Sequence, residues 1–171
     1  EKQAELTDLP ITWHFIGPIQ SNKTTAIAHH FDWVHSVERV KVAKRLNEQR
    51  LGATPLNICI QINTSAETSK SGVTIEEAIA LAQTINTLPN LRLRGFMAIP
   101  SPQLSQEQLF EQFSSLESLL HKLNQQGFRL DTLSMGMSND LECAIRAGAT
   151  MVRIGTAIFG PRININTTIN Q

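Results

Sequence analysis

The sequence predicts an α/β fold carried by parallel strands, and three features of its 171 residues lead there. Short β-branched runs alternate with longer stretches of helical spacing along the whole chain, and strands joined through helices pair in parallel with right-handed crossovers. The apolar runs stop abruptly at Gly17-Pro18, at Pro100 and at Gly155-Thr156, which are strand-ending signals. Leu56 to Asn63 alternates apolar residues with amides, the pattern of a barrel strand whose two faces meet different surroundings.

Taken in order, the polar opening ends at Pro10 and reads as a helix remnant or a tail. Ile11 to Ile16 is the first strand. Ser21 and Asn22 can cap a helix running to His30, and Ser36, closing the strand begun at Trp33, can cap the helix that carries Val40, Ala43 and Leu46. After the third strand, Thr74-Ile75-Glu76-Glu77 is a capping box, and Ile75, Ala78, Ile79, Ala82 and Ile85 form one helical stripe. Leu91 to Ala98 is the fourth strand. Phe110, Phe113, Leu116, Leu120 and Leu123 mark the apolar face of the longest helix, which stops at Gly127. Thr132 to Met135, a helix through Ala144 and Ile145, and a last strand at Thr150 to Ile154 complete six strands and five intervening helices. A (β/α)8 barrel closes with eight strands, whereas an open doubly wound sheet reverses its strand order, which nothing here marks. The expectation is a single domain over residues 1–171, a partial barrel whose first two βα units are absent, with a fraying tail after Arg162.

Composition narrows the function. Fifteen Lys and Arg balance fifteen Asp and Glu, so no broad basic surface draws the chain to nucleic acid or to a membrane. No apolar run is long enough to span a bilayer, and no secretory signal opens the chain. With Cys59 and Cys143 far apart, a reduced cytoplasmic protein with two buried thiols is expected. Neither CxxC nor HExxH occurs, which leaves zinc without support.

Two stretches carry the chemistry. In Met151 to Gly160 a β-branched run ends in Gly155-Thr156, and in Leu133 to Asp140 a short strand runs through Gly136 to Ser138 and a polar helix start. Both turns can offer bare backbone N–H groups and a hydroxyl to a phosphate, whose desolvation several such donors would offset. Tight strand-to-helix turns with caps explain the same residues without a ligand. Arg153, inside an apolar strand, faces a ring nitrogen or an anion, or else makes a buried salt bridge. Lys23 and Lys70 lie in polar loops beyond strand ends, where barrels place their sites, and either can steer an anion or simply be solvated. Met135 and Met137 can pack on a flat ligand or on the core. His14 and His35 read as satisfied core histidines, and His29, His30 and His121 as helix surface.

In series, Trp13 to Lys23, Lys70-Ser71-Gly72, Arg94 to Pro100, Leu133 to Asp140 and Met151 to Gly160 look like the motifs of one family. From about Trp13 to Arg162 the sequence resembles the pyridoxal 5′-phosphate homeostasis proteins, the alanine-racemase N-terminal-domain-like family. That resemblance implies a (β/α)8 TIM-type barrel of the alanine racemase N-terminal type, about six of its eight βα units being present, with pyridoxal phosphate at the C-terminal ends of its strands. It further implies phosphate contacts from Ser138, Gly155 and Thr156, Arg153 near the pyridine ring, and Ser134 and Met135 lining the pocket. The family's Schiff-base lysine precedes the first strand seen here, and neither Lys23 nor Lys70 matches it.

The function so implied is binding of pyridoxal phosphate in vitamin B6 homeostasis without turnover, by a protein monomeric at full length that serves pyridoxal-phosphate-dependent apo-enzymes. The chain has no tyrosine, and no acid/base residue or second domain is evident. A racemase-like enzyme completed by another chain, an unrelated sugar-phosphate barrel enzyme and a ligand-free structural fragment are the rivals. A further expectation is that truncation at Glu1 would leave sheet edges open to pairing.

Overall fold

The computed structural model describes residues 2–52, 54–65 and 71–160. A one-turn helix α1 (Lys2–Glu5) precedes β1 (His14–Phe15), and a 3-10 turn over Ser21–Lys23 leads into α2 (Thr24–His30). The chain continues as β2 (Trp33–Val37), α3 (Val40–Gln49), β3 (Leu56–Ile62), α4 (Ile75–Asn86), β4 (Leu91–Ala98) and α5 (Gln106–Gln125). β5 (Thr132–Ser134), α6 (Leu141–Arg146) and the short α7 (Thr156–Phe159) complete it.

All four strand pairs are parallel, and the sheet order β1-β2-β3-β4-β5 follows the chain. A doubly wound sheet must reverse that order somewhere; successive addition on one side builds the wall of a barrel. The described residues form a parallel half-barrel. The expected first strand shrinks to His14–Phe15, because it pairs on one side only and follows Pro10. The expected sixth strand is reduced to a bridge between Ser134 and Met151, flanked by amide bonds from Met135 to Met151 O (3.0 Å) and from Arg153 to Gly136 O (2.9 Å). It continues the sheet in the same direction without regular pairing.

The core lies between the sheet and the helices. Ile58, Ile60 and Ile62 of β3 meet Ala78, Ala82 and Ile85 of α4, and Phe96 and Leu133 belong to the same cluster as Phe113, Leu116 and Leu123 of α5. Two register shifts set which residues face this layer. Between the Ile58 and Cys59 pairings β4 carries one extra residue, so outward positions run Leu91, Leu93, then Phe96 and Ala98. A similar irregularity between Val34 and Val37 turns both outward. Gly95 makes the first shift possible: its φ is +154°, and a Cβ there would collide with the carbonyl oxygen of Thr132.

Helix ends match the sequence only in part. Thr74 and Glu77 form the expected capping box, and Ser105 with Gln108 forms a second. Ser36 caps nothing; its hydroxyl donates to Gly17 O (2.6 Å), and Arg39 precedes α3 without a side-chain cap. The helix expected at Ser21 begins as the 3-10 turn, with no side-chain cap. Phe110 stands at the edge of the α5 face, where the Arg146 guanidinium lies 5.4 Å from its ring.

On the inner face, at the N-terminal ends of the strands, Arg94 holds four segments together. It donates to both Asp131 oxygens (2.8 and 2.7 Å) and to Asn57 Oδ1 (2.9 Å), and its guanidinium lies 4.5 Å from the Trp33 ring. The Arg94 bonds hold the Asp131 carboxyl below its ordinary range.

Candidate functional site

Between β1 at one edge of the sheet and the Met151 segment beyond the other, a cavity of about 430 Å³ opens, lined by His14, Ile16 and His35 and by Met151 to Ile154. Its polar wall is made of His14 of β1, His35 of β2 and Arg153 of the bridge segment.

Arg153 is the central charge. Its Nη1 donates to Ser134 O (2.6 Å) and Ser134 Oγ (2.9 Å), and Nη2 donates to Ala98 O (2.9 Å). Among the described residues no carboxylate pairs with it, so the buried salt bridge is not what places an arginine here. Two strand-end carbonyls and a hydroxyl orient a cation whose charge stays uncompensated at the cavity wall. Burial lowers its pKa, partly opposed by Asp140 and Cys59.

Ser134 passes this contact on. Its Oγ lies 2.8 Å from His35 Nδ1, and His35 Nε2 lies 2.8 Å from His14 Nδ1. Ser134 and His35 are fully buried. Burial, helped by the neighbouring His14 and Arg153, pushes the His35 pKa down to about 4, so its imidazole is neutral at physiological pH. His14 is also lowered by burial, against the pull of Asp32, and its ring stacks on Trp33 (centroids 5.4 Å apart, 12° between planes).

The two turns singled out by sequence follow the C-terminal end of β5 and the Met151 segment beside it. Gly136, at φ +95°, carries β5 into the turn before α6; a Cβ there would come 2.6 Å from Ala144 Cβ. Ser138 is exposed in that turn and does not cap the helix; Asp140 precedes α6, and its carboxylate accepts from the Met137 amide. Gly155 precedes α7 in open space, and the amides of Ile158 and Phe159 fold back onto its carbonyl. The Thr156 and Ala157 amides donate to no acceptor among the described residues. The Arg153-to-Gly136 and Met135-to-Met151 bonds tie the segments bearing the two turns side by side.

Other expected residues separate. Met135 is fully buried in the layer between sheet and helices and does not line the cavity, while Met137 is exposed. Lys23 is exposed at the end of the 3-10 turn. Lys70 lies outside the described residues. His35 is the satisfied core histidine expected from sequence, bonded at both ring nitrogens, whereas His14 is half-buried and lines the cavity; its place beside Trp33 on a short strand is the signal the sequence offers for that. No group of three or more His, Cys, Asp or Glu among the described residues could hold a metal ion.

Comparison with known proteins identifies the family and the fold. Residues 4–163 match the family model described as "Alanine racemase, N-terminal domain". The pyridoxal phosphate homeostasis protein of Pseudomonas aeruginosa is 61% identical over 162 residues, covering 94% of this chain and 69% of the relative. The chain belongs to the pyridoxal phosphate homeostasis protein family. The protein so named from Escherichia coli K12 is 51% identical over 159 residues, covering 92% of this chain and 68% of that one. Among solved structures, PipY of Synechococcus elongatus PCC7942, with PLP bound, superimposes with a TM-score of 0.84 at 38% identity, covering 93% of this chain and 76% of PipY. An alanine racemase of Clostridium difficile 630 shares the fold alone, with a TM-score of 0.72 at 17% identity over 94% of this chain and 43% of the racemase. The TIM-type barrel expected from sequence is the fold of these relatives, and this chain, shorter than they are, holds part of it.

Proposed function

We propose that this chain binds pyridoxal 5′-phosphate and acts in its cellular homeostasis, holding and handing on the cofactor rather than turning over a substrate. The observation that carries the reading is an uncompensated, oriented Arg153 beside two adjacent turns with open amides, in a family whose homologues bear the homeostasis name and whose structural neighbour PipY has PLP bound.

The residues present fit such a group. A cavity of about 430 Å³ lies within the range usual for small-molecule sites, roughly 300–1,000 Å³. Gly155, Thr156 and Ser138 would hold the phosphate through amides and hydroxyls, and Arg153 with Ser134 behind it would face the ring; Met135 supports the wall from the core side. Lys23 and Lys70 would contribute at most to attracting the anion. When bound, the cofactor supplies an electrophilic aldehyde. The side chains here bind and orient: Arg153 places a fixed positive charge, and neutral His35 holds the Ser134 hydroxyl in a single direction. The one carboxylate in the two turns, Asp140, accepts from the Met137 amide. Exchange with pyridoxal-phosphate-dependent apo-enzymes, a monomeric state and a cytoplasmic location belong to the same proposal.

The test is a titration of the full chain with pyridoxal 5′-phosphate, followed by absorbance and competed with inorganic phosphate. Saturable, competable binding is expected, weakened by about 1–3 kcal/mol when Ser138 and Thr156 are both replaced by Ala. Unchanged affinity in that variant would refute the phosphate assignment. Interconversion of amino-acid enantiomers by the loaded protein at enzymatic rates would refute the non-catalytic one.

A further inference from the structure

The contact chain Arg153–Ser134–His35–His14 has only one consistent direction. The Ser134 oxygen already receives an N–H from Arg153, and the hydroxyl is fully buried. Among the described residues, the acceptor within reach of its own proton is His35 Nδ1 (2.8 Å). The opposite arrangement, with His35 Nδ1 donating, would leave that buried hydroxyl hydrogen unpaired, which native interiors avoid. A neutral His35 that accepts at Nδ1 carries its proton on Nε2, and so donates to His14 Nδ1 across 2.8 Å. His14 must then carry its own proton on Nε2. That N–H has no acceptor among the described residues, belongs to a cavity-lining side chain, and sits on a ring whose plane is set by stacking on Trp33. Asp32, the nearest acidic influence on His14, accepts instead from the Trp13 amide (2.8 Å).

We propose that the relay makes His14 a ligand-binding residue: a neutral imidazole whose Nε2–H is offered to an acceptor atom of the bound cofactor other than its phosphate. The inference rests on the proposed function for the identity of the ligand. It assigns Ser134 and His35 as positioning residues, acting through the tautomer they impose. His14 comes from the strand at one end of the sheet, whereas Gly155, Thr156 and Ser138 follow the strands at the other; one ligand touching both groups therefore presents different atoms to them. A neutral donor also suits the place, since a second cation near Arg153 would be opposed by it.

The experiment is proton–nitrogen NMR of the uniformly ¹⁵N-labelled full chain at neutral pH, with long-range transfer for the imidazole rings and one-bond transfer for the amides, free, with inorganic phosphate, and with pyridoxal 5′-phosphate. In the free chain both His14 and His35 are expected as Nε2–H tautomers. Inorganic phosphate should move the Ser138 and Thr156 amides and leave the His14 ring signals in place, whereas pyridoxal phosphate should move both sets. His14→Phe, which keeps a ring on Trp33, should bind pyridoxal phosphate about tenfold more weakly. His14→Gln, whose amide can place a donor near the Nε2 position, should recover most of that loss, and inorganic phosphate should bind both variants alike. An Nδ1–H tautomer at His14, a His14 signal that moves with inorganic phosphate alone, or one that stays still at saturation with pyridoxal phosphate overturns the inference and leaves the proposed function standing. Failure of the unmodified chain to saturate with pyridoxal phosphate overturns the proposed function, and the ligand role of His14 with it.

Discussion

Acidification should unfold this protein through one buried imidazole. His35 is fully buried and its pKa is pushed down to about 4 from an ordinary 6.5. A depressed histidine contributes stability that is complete above the unfolded-state value and is lost as pH falls from about 6.5 toward 4. The full difference is worth about 3 kcal/mol at roughly 1.4 kcal/mol per pH unit, and about 2 kcal/mol of it is gone by pH 5. His14, lowered in the same direction, adds to the effect. Urea unfolding at pH 7.5 and at pH 5 measures the loss above the range where carboxylates titrate. The control is His35→Gln, which is destabilised at both pH values but lacks the titrating ring. Unmodified protein should lose about 2 kcal/mol across this window and the variant well under half of that. Parallel losses in the two would show that His35 is not the group responsible and would remove the basis for treating it as a neutral link.

Three further outcomes follow from the packing. Gly95→Ala should destabilise by about 3–5 kcal/mol, combining an overpacked contact with a φ that suits only glycine, and a melting temperature within a degree or two of the parent would contradict the bulge. Cys59, fully buried with its thiol pushed up to about 12, should resist a thiol reagent in native buffer and react once urea is added, so fast native labelling would refute its placement. Thr74→Ala should cost about 1 kcal/mol by removing one half of the α4 capping box, read as a shift in urea midpoint without a change in slope.

How far the sequence could be read depended on which force placed each element. β3, α4, β4 and α5 were legible because the apolar period and capping residues act locally, and Thr74 with Glu77 does in the structure what its spacing promised. β1 and the Met151 segment were overextended, since strand length depends on neighbours that a β-branched run does not reveal. Phe110 shares the apolar spacing of α5 yet is exposed, because helical spacing defines a stripe but not its edges. At the site, alternation left Arg153 facing either inward or outward; only the fold shows it spanning Ala98 and Ser134. The His14–His35–Ser134 contacts join residues up to 99 positions apart, and no local pattern encodes such a meeting.

The Arg94 cluster bears on how such a molecule can change. One guanidinium binds β3 and the start of β5 and lies against Trp33 of β2 at the base of the wall, whereas Arg153 and the two turns stand at the other ends of the strands. Substitutions at the rim therefore leave the footing of the strands intact, and descendants of this sequence have room to exchange loops and retune what is held there. An alteration at Arg94 has no such latitude, because it loosens several strands at once.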